Sequence, residues 1–250
     1  MTELRVSTEN GVITVTLERP ESRNAVTPTL LQQLADVLEN ADSDPDRRVI
    51  VLRGAGGAFC AGYDLAHLTS PGTTSAGRER DEVERVCGRL ARLDTPTIAA
   101  VAGAALGAGC DLAVSCDLRV AAADARFGMP PARLGILYSR EGVGRLSALV
   151  GPAVAKELLF TGEPVDAATA LAVGLVNRVV PVEEFDAEVL RLATTVAANA
   201  PLSVRATKRL VRGVSAEEGE ALGELVWSSD DAREGPNAVR ERRAPRFHGR

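Results

Sequence analysis

The stretch Gly103-Ala-Ala-Leu-Gly-Ala-Gly-Cys-Asp-Leu112 contains three glycines and three alanines in ten residues. It follows an apolar segment, 98–102, that predicts a buried strand, and it leads into a predicted helix from about residue 109 to 116. Small side chains leave the backbone N–H groups of such a connection accessible, and the start of a helix favours negative charge. The stretch therefore predicts an anion-binding turn between a strand and a helix.

A second glycine-rich stretch, Gly56-Gly-Ala-Phe-Cys-Ala-Gly-Tyr-Asp-Leu65, follows another predicted buried strand at 49–52. Neither stretch has the pattern of a nucleotide-binding loop. One N–H group from each stretch, converging on a single oxygen, would form an oxyanion hole, in which each donor contributes about 3 kcal/mol. The alternative is that these glycines only serve tight turns and close packing.

Outward from these stretches, strands and helices alternate and then give way to helices, which predicts an α/β core followed by a helical C-terminal region. A strand at 12–17 alternates apolar residues with threonine, and Thr27-Pro28 begins a helix with one leucine stripe. The other predicted elements are a polar loop at 64–80, a helix at 81–93, a strand at 117–121, helices at 152–160 and 166–173, and a strand at 174–180.

Composition excludes several classes of protein. A chain of 250 residues with 45% hydrophobic residues and a net charge of −5 is long and apolar enough to fold, and its acidic balance argues against nucleic-acid binding. The longest uncharged apolar run is too short to cross a bilayer, and the sequence begins directly with strand-like residues, so we expect no membrane and no targeting segment. Four cysteines without metal-ligand spacing indicate neither a metal site nor disulfides, so we expect a cytoplasmic location.

In order along the chain, both stretches and their flanking segments resemble the crotonase, or enoyl-CoA hydratase/isomerase, superfamily. The resemblance covers about residues 3–210, with a family-like basic tail. The flanking segments that carry it are LERPESRNA (17–25), CDLRVA (116–121), RFGMP (126–130), ELLFTG (157–162) and ALAVGLV (170–176).

The resemblance implies a spiral of ββα units for residues 1–198 and a C-terminal helical region, 199–250, that mediates trimerisation. We therefore expect a homotrimer or a dimer of trimers. Family substrates are acyl-CoA or enoyl-CoA thioesters, and no metal or redox cofactor is needed. By alignment with the family, the two backbone N–H groups of the oxyanion hole are those of Tyr63 and Ala108.

Coenzyme A enters as part of the substrate, and the resemblance also indicates which residues hold it. The backbone at Cys60, Ala61 and Gly62 matches the family's CoA-binding segment. Arg23 matches a basic residue after the first strand, and Phe247 in the tail is expected to reach the CoA of a neighbouring subunit.

The acid/base groups depart from the family pattern. Enoyl-CoA hydratases use two glutamates to position and deprotonate one water, and these align with Asp111 and with Pro131, which has no acid/base group. Two-glutamate hydration is therefore disfavoured. Asp111 is a candidate base, although a carboxylate in the first turn of a helix also stabilises that helix.

Glu141 is the other candidate base. Family isomerases place one glutamate in this region, at the position of Ser139, and a modest shift of the predicted loop would bring Glu141 into the pocket. The alternative is a solvated or arginine-paired loop carboxylate. Tyr138 is either a hydrogen-bond donor, as in family decarboxylases, or an aromatic wall of the acyl pocket.

The resulting hypothesis is an enzyme that stabilises a thioester enolate and favours double-bond isomerisation, with Glu141 or Asp111 as base. Two alternatives stay open: a decarboxylase that relies on the same oxyanion hole, and a catalytically weak homologue that only binds CoA thioesters.

Overall fold

The computed structural model describes residues 2–67 and 76–250. Its central sheet has six strands in the order β1-β2-β3-β4-β6-β9, and a smaller sheet has the order β5-β7-β8. The strands are β1 (Leu4–Glu9), β2 (Val12–Leu17), β3 (Val49–Gly54), β4 (Thr97–Val101), β5 (Ala104–Leu106), β6 (Leu118–Ala122), β7 (Arg126–Gly128), β8 (Val165–Asp166) and β9 (Arg178–Val180).

Helices cover both faces of the large sheet, and the chain ends in a succession of helices. They are α1 (Pro28–Ser43), α2 (Ala76–Arg92), α3 (Ala108–Ser115), α4 (Pro131–Leu134), α5 (Arg140–Thr161), α6 (Ala167–Ala172), α7 (Phe185–Ala198), α8 (Pro201–Arg212), α9 (Ala216–Ser228) and α10 (Asp230–Glu241).

Strand pairing explains the apolar runs of the sequence. β1 and β2 pair antiparallel, and β2, β3, β4, β6 and β9 pair in parallel. Parallel strands are covered on both faces, which is why β3 and β4 are almost continuously apolar. One face packs against the main core with α1, α2 and α3, and the other packs against α7.

The predicted α/β class is confirmed, and so are several element boundaries. β2 covers the predicted 12–17, and α1 begins as predicted, because the Thr27 hydroxyl accepts a hydrogen bond from Leu30 N at 3.0 Å and Pro28 occupies the first turn.

Other element boundaries predicted from the sequence are wrong. Residues 76–80 of the predicted loop are the first turns of α2, while residues 68–75 of that loop lie outside the described residues. The segment 137–142, predicted as a loop, enters α5 at Arg140, because the Ser139 hydroxyl caps the helix by accepting from Gly142 N at 2.9 Å. The predicted turn at 103–109 contains β5, since pairing with β7 overrides local preference. Of the predicted strand at 174–180, only the last three residues form a strand, β9 (Arg178–Val180).

Helix α8 attaches beside the sheet through partly buried polar contacts. Lys208 of α8 donates to the Asp117 carboxylate at 2.7 Å and to the Thr95 carbonyl at 3.0 Å. α7 ends at Ala198, where the boundary between core and trimerisation region is predicted, and the role of the region from 199 onward stays a prediction. No helix in the described ranges is long and apolar enough to cross a membrane.

Candidate active site

The two glycine-rich stretches pair with each other through their backbones. Cys60 N donates to Ala104 O, and Leu106 N donates to Cys60 O, both at 2.9 Å. Cys60 thus forms a parallel bridge with Ala105 of β5. This pairing places residues 60–63 beside the turn that opens α3.

The approach is closest between Gly62 and the start of α3. A Cβ at Gly62 would lie 3.1 Å from Leu106 O and 3.9 Å from Ala108 N. The next residue, Tyr63, forms a bridge with Val26. Its neighbours hold it there, because Val26 N donates to Gly62 O at 2.8 Å and Asp64 N donates to Val26 O at 2.9 Å. Tyr63 and Ala108 therefore belong to two segments in direct contact.

Gly107 sets the direction of the α3 N-terminus. Its φ of 55° and ψ of −122° suit only glycine, and its N–H donates to Gly128 O at 2.8 Å. Ala108 is the first residue of the helix, where an N–H has no intrahelical acceptor. No residue in the described part of the chain accepts a hydrogen bond from Ala108 N. The turn therefore presents a free donor at the positive end of a helix dipole.

Asp111 lies in the first turn of α3 and is only 5% exposed. Arg145 of α5 donates from Nη2 to Asp111 Oδ1 at 3.1 Å. Burial raises the pKa of Asp111 above its ordinary value, and the charge and hydrogen bond of Arg145 oppose that rise. Asp111 is thus a buried carboxylate whose ionised form depends on one arginine.

The same arginine holds a second acid, Glu84 of α2. Nη1 and Nη2 of Arg145 donate to the two Glu84 oxygens, each at 2.8 Å, and the Ser139 hydroxyl donates to Glu84 Oε2 at 2.5 Å. Burial acts to raise the pKa of Glu84, but the hydrogen bonds from Arg145 and Ser139 outweigh it, so the pKa lies below its ordinary value. Sequence reasoning missed Glu84 and Arg145 altogether.

Tyr138 lies at the same turn. Its hydroxyl would be 3.5 Å from a Cβ at Gly107, and its ring packs against the core. Burial, together with the nearby Asp111 carboxylate, raises the pKa of the Tyr138 hydroxyl. The group therefore remains protonated at neutral pH and is available as a hydrogen-bond donor beside Ala108.

Glu141 and Pro131 have different surroundings. Glu141 is exposed in the first turn of α5, whereas the next residue, Gly142, faces the site: a Cβ there would lie 2.9 Å from Asp111 Oδ2. Pro131 is buried at the start of α4, where its missing N–H costs nothing.

The structure brings four of the five expected CoA contacts together. Arg23 is exposed, and its carbonyl accepts from Ala61 N at 2.9 Å, next to Cys60 and Gly62. Burial raises the pKa of the Cys60 thiol to about 12, so this thiol is neutral. Phe247 is the fifth expected contact and is far from the other four in the sequence. Its ring lies near Gly235 of α10 in the same chain, and its carbonyl accepts a hydrogen bond from Arg48 at 2.7 Å.

Two other polar residues near Tyr63, Asp64 and His67, lie outside the site. Asp64 pairs with Arg19 at 2.9 Å and accepts from Ala66 N at 3.1 Å, so it caps the short turn that follows Tyr63. His67 is exposed at the end of that turn. Among residues 2–67 and 76–250, no cluster of His, Cys, Asp and Glu has the arrangement of a metal site.

Comparison with known proteins places the chain in a family. The family model described as "Enoyl-CoA hydratase/isomerase" matches residues 7–250. The 2,3-dehydroadipyl-CoA hydratase of Escherichia coli is 38% identical, with 100% of both chains covered. The short-chain-enoyl-CoA hydratase of Clostridium acetobutylicum is 36% identical over 94% of this chain and 93% of that protein.

A solved structure gives the same result for the fold. The crystal structure of an enoyl-CoA hydratase from Bacillus anthracis superposes with a TM-score of 0.91 at 30% identity, covering 100% of both chains. The crotonase-like fold expected from the sequence is therefore confirmed.

Proposed function

The chain belongs to the enoyl-CoA hydratase/isomerase family, and on that premise we propose that it moves a proton, and with it a double bond, within an enoyl-CoA thioester. It is an enzyme of the crotonase type, as the sequence predicts. The observation that supports the proposal best is the close approach of Gly62, the residue before Tyr63, to the start of α3. Ala108 begins that helix one turn before its single buried carboxylate, Asp111.

The thioester oxygen is held by the backbone N–H groups of Tyr63 and Ala108. Negative charge develops on this oxygen when a proton leaves the neighbouring carbon. Two backbone donors stabilise that charge, and one of them, Ala108, lies at the positive end of the α3 dipole. The free N–H of Ala108 and the glycine-only conformation of Gly107 support this assignment. No metal or redox cofactor is required by this chemistry.

Asp111 is the base of the proposed reaction. It takes a proton from C2 of a 3-enoyl thioester, and the electron pair delocalises onto the thioester oxygen. Return of the proton to C4 shifts the double bond and gives the 2-enoyl thioester. One carboxylate suffices, and its burial, which raises its pKa, makes it a stronger base than an exposed aspartate.

Hydration of the 2-enoyl thioester is a second candidate, because relatives at 36% and 38% identity are named hydratases. Addition of water in the two-glutamate manner needs a second carboxylate, and the aligned position holds Pro131. Decarboxylation with Tyr138 as donor, and thioester binding without turnover, are the other outcomes that a product analysis distinguishes.

Binding of the CoA part follows from the same loops. The exposed Arg23 guanidinium suits a phosphate group of CoA, and the backbone of Cys60, Ala61 and Gly62 lies beside it. Phe247 is proposed to contact CoA in a neighbouring subunit of a homotrimer or a dimer of trimers. We propose a cytoplasmic location for the enzyme.

A pair of isosteric variants tests the base. Asp111→Asn keeps the shape of the side chain and removes its basicity, so we expect kcat to fall at least about 100-fold. Glu141→Gln, at an exposed position, is expected to change kcat less than about twofold. If Glu141→Gln loses activity and Asp111→Asn keeps it, the base is Glu141. If both variants remain active, neither carboxylate is the base and the mechanism is contradicted.

A further inference from the structure

Two acids from different helices share one arginine behind the α3 N-terminus. We propose that Glu84 and Arg145 are positioning residues for Asp111: Arg145 holds the Asp111 carboxylate, and Glu84 fixes Arg145 while competing for its charge. The catalytic consequence of this arrangement rests on the proposed function, in which Asp111 is the base.

Glu84 holds the Arg145 guanidinium more firmly than Asp111 does. Both terminal nitrogens of Arg145 bind Glu84, and only Nη2 also reaches Asp111, at 3.1 Å against 2.8 Å for Glu84. A two-pronged arginine–carboxylate pair defines the plane of the guanidinium. Glu84 therefore determines where the hydrogen bond to Asp111 points.

The hydrogen bonds that Glu84 accepts make it unsuitable as the base. Its two oxygens accept hydrogen bonds from Arg145 twice and from Ser139 once. These bonds stabilise the ionised form, in line with a pKa below the ordinary range. A carboxylate so bound is a weak base, which is why we assign Glu84 a positioning role.

The groups around Asp111 come from each helix that packs on it. From α2, the Cys87 thiol lies close to Asp111 and Glu84 adds negative charge, while α5 contributes Arg145. Cys110 of α3 and Tyr138 also lie close enough to interact electrostatically with Asp111. Burial keeps both thiols neutral, so Arg145 and Glu84 are the charged groups facing Asp111.

Opposite effects of the two partners follow from this arrangement. Removing the charge of Glu84 weakens its competition for the Arg145 charge and eliminates a like charge, so ionisation of Asp111 becomes easier. Removing the charge of Arg145 leaves Asp111 buried beside another acid, so ionisation becomes harder. A charged neighbour at this distance shifts a titration midpoint by about one to three pH units.

The test uses the full-length protein and the variants Glu84→Gln and Arg145→Gln. Matched controls are Glu82→Gln on α2 and Arg140→Gln at the exposed start of α5. Ionisation of Asp111 is followed directly by the infrared band of its protonated carboxyl group, identified by its loss in Asp111→Asn. Circular dichroism and thermal unfolding establish that each variant is folded.

We expect the midpoint of Asp111 to fall by about one pH unit in Glu84→Gln and to rise by at least that much in Arg145→Gln, with both controls unchanged. Unchanged midpoints, or shifts in the same direction, overturn the proposal. Glu84→Gln retains an acceptor for Ser139 and Arg145, so it decides the matter alone if Arg145→Gln does not fold.

The kinetics separate this inference from the proposed function. If Asp111 is the base, the acid limb of the pH profile of kcat/KM follows the infrared midpoint in every variant. If the infrared midpoint moves and the acid limb does not, the positioning role stands and Asp111 is not the base.

Discussion

Gly109 lies directly against the carbonyl group of Cys60: a methyl group on Gly109 would be 2.2 Å from Cys60 O and 2.7 Å from Cys60 Cβ. Both distances are far below van der Waals contact, so only glycine permits α3 to approach the first glycine-rich stretch this closely. The contact therefore fixes the spacing between the segments that contain Tyr63 and Ala108.

Substitution of Gly109 by alanine is expected to separate these two segments. We expect Gly109→Ala to lower the free energy of unfolding by about 1–3 kcal/mol, because the clash involves backbone. We also expect kcat/KM to fall about 100-fold, because small displacements of donor groups are costly to catalysis. Urea denaturation and steady-state kinetics measure the two effects.

Gly144→Ala is the matched control for this substitution. Gly144 lies in α5, and a Cβ there would meet nothing within 4 Å. We expect a gain of about 0.5–1 kcal/mol, because alanine is the better helix former, with unchanged kinetics. Equal losses in both variants would refute the close-approach argument.

Arg119 is a buried cation, 3% exposed, whose hydrogen bonds go to backbone carbonyls. It donates to Leu175 O and Cys116 O at 2.7 Å, to Ala113 O at 3.3 Å and to Asp117 O at 3.4 Å. Arg119→Met leaves these acceptors buried and unpaired, so we expect a loss of about 3 kcal/mol in unfolding free energy.

The exposed Arg126 provides the comparison for Arg119. Its hydrogen bond goes to the neighbouring Ala125 carbonyl at 3.1 Å, and Arg126→Met is expected to change stability by less than about 0.5 kcal/mol. Denaturation curves of the two variants should therefore differ clearly. Coincident curves would show that the hydrogen bonds from Arg119 to the backbone carbonyls contribute little to stability.

The chain has two lysines, Lys208 and Lys156, in very different surroundings. The Lys208 side chain is 9% exposed and binds Asp117 at 2.7 Å, whereas Lys156 is exposed. We expect Lys208→Met to cost about 1–3 kcal/mol, because the Asp117 carboxylate loses its cation, and Lys156→Met to be neutral. Thermal unfolding compares them, and equal transitions would argue against α8 being fixed through Lys208.

The raised pKa of Asp111 predicts a pH-dependent stability difference. Between the ordinary value of 3.8 and the raised folded value, the folded protein keeps a proton that the unfolded chain has lost. The contribution of Asp111 to stability is therefore greatest at low pH and declines as pH rises through this window. We expect Asp111→Asn to gain stability relative to the unsubstituted protein from about pH 4 upward, measured by denaturation at several pH values. The opposite slope would mean that Arg145 overcomes burial.

Much of the fold follows from the sequence. The alternation in 12–17 and the Thr27-Pro28 helix start are local signals, and the structure confirms both. The order of family motifs predicts the crotonase fold, which the comparisons confirm. The segments at β5 and at the start of α5 were predicted incorrectly. β5 forms through pairing with β7, a tertiary effect that local composition does not reveal, whereas the Ser139 cap of α5 is a local signal that was not recognised in the sequence.

The acid–arginine network is the part that local reasoning misses. Glu84, Asp111 and Arg145 lie on three helices, and no spacing rule relates them. A weak signal exists in α2, where Glu84 shares a helix face with Cys87 and Ala91 and so falls within an apolar stripe. A charged residue in such a stripe predicts a buried partner, but the sequence does not say which one.

The most direct test of the proposed function is to incubate 2-enoyl and 3-enoyl thioesters of CoA with the protein in D₂O, separate the isomers by liquid chromatography and measure their masses. We predict that the double bond moves without addition of water, and that deuterium enters the acyl chain whenever the proton on Asp111 exchanges with solvent before it is returned. Both changes are lost in Asp111→Asn. Addition of a water mass to the 2-enoyl thioester, with no migration of the double bond, would contradict the isomerase assignment and establish hydration despite Pro131.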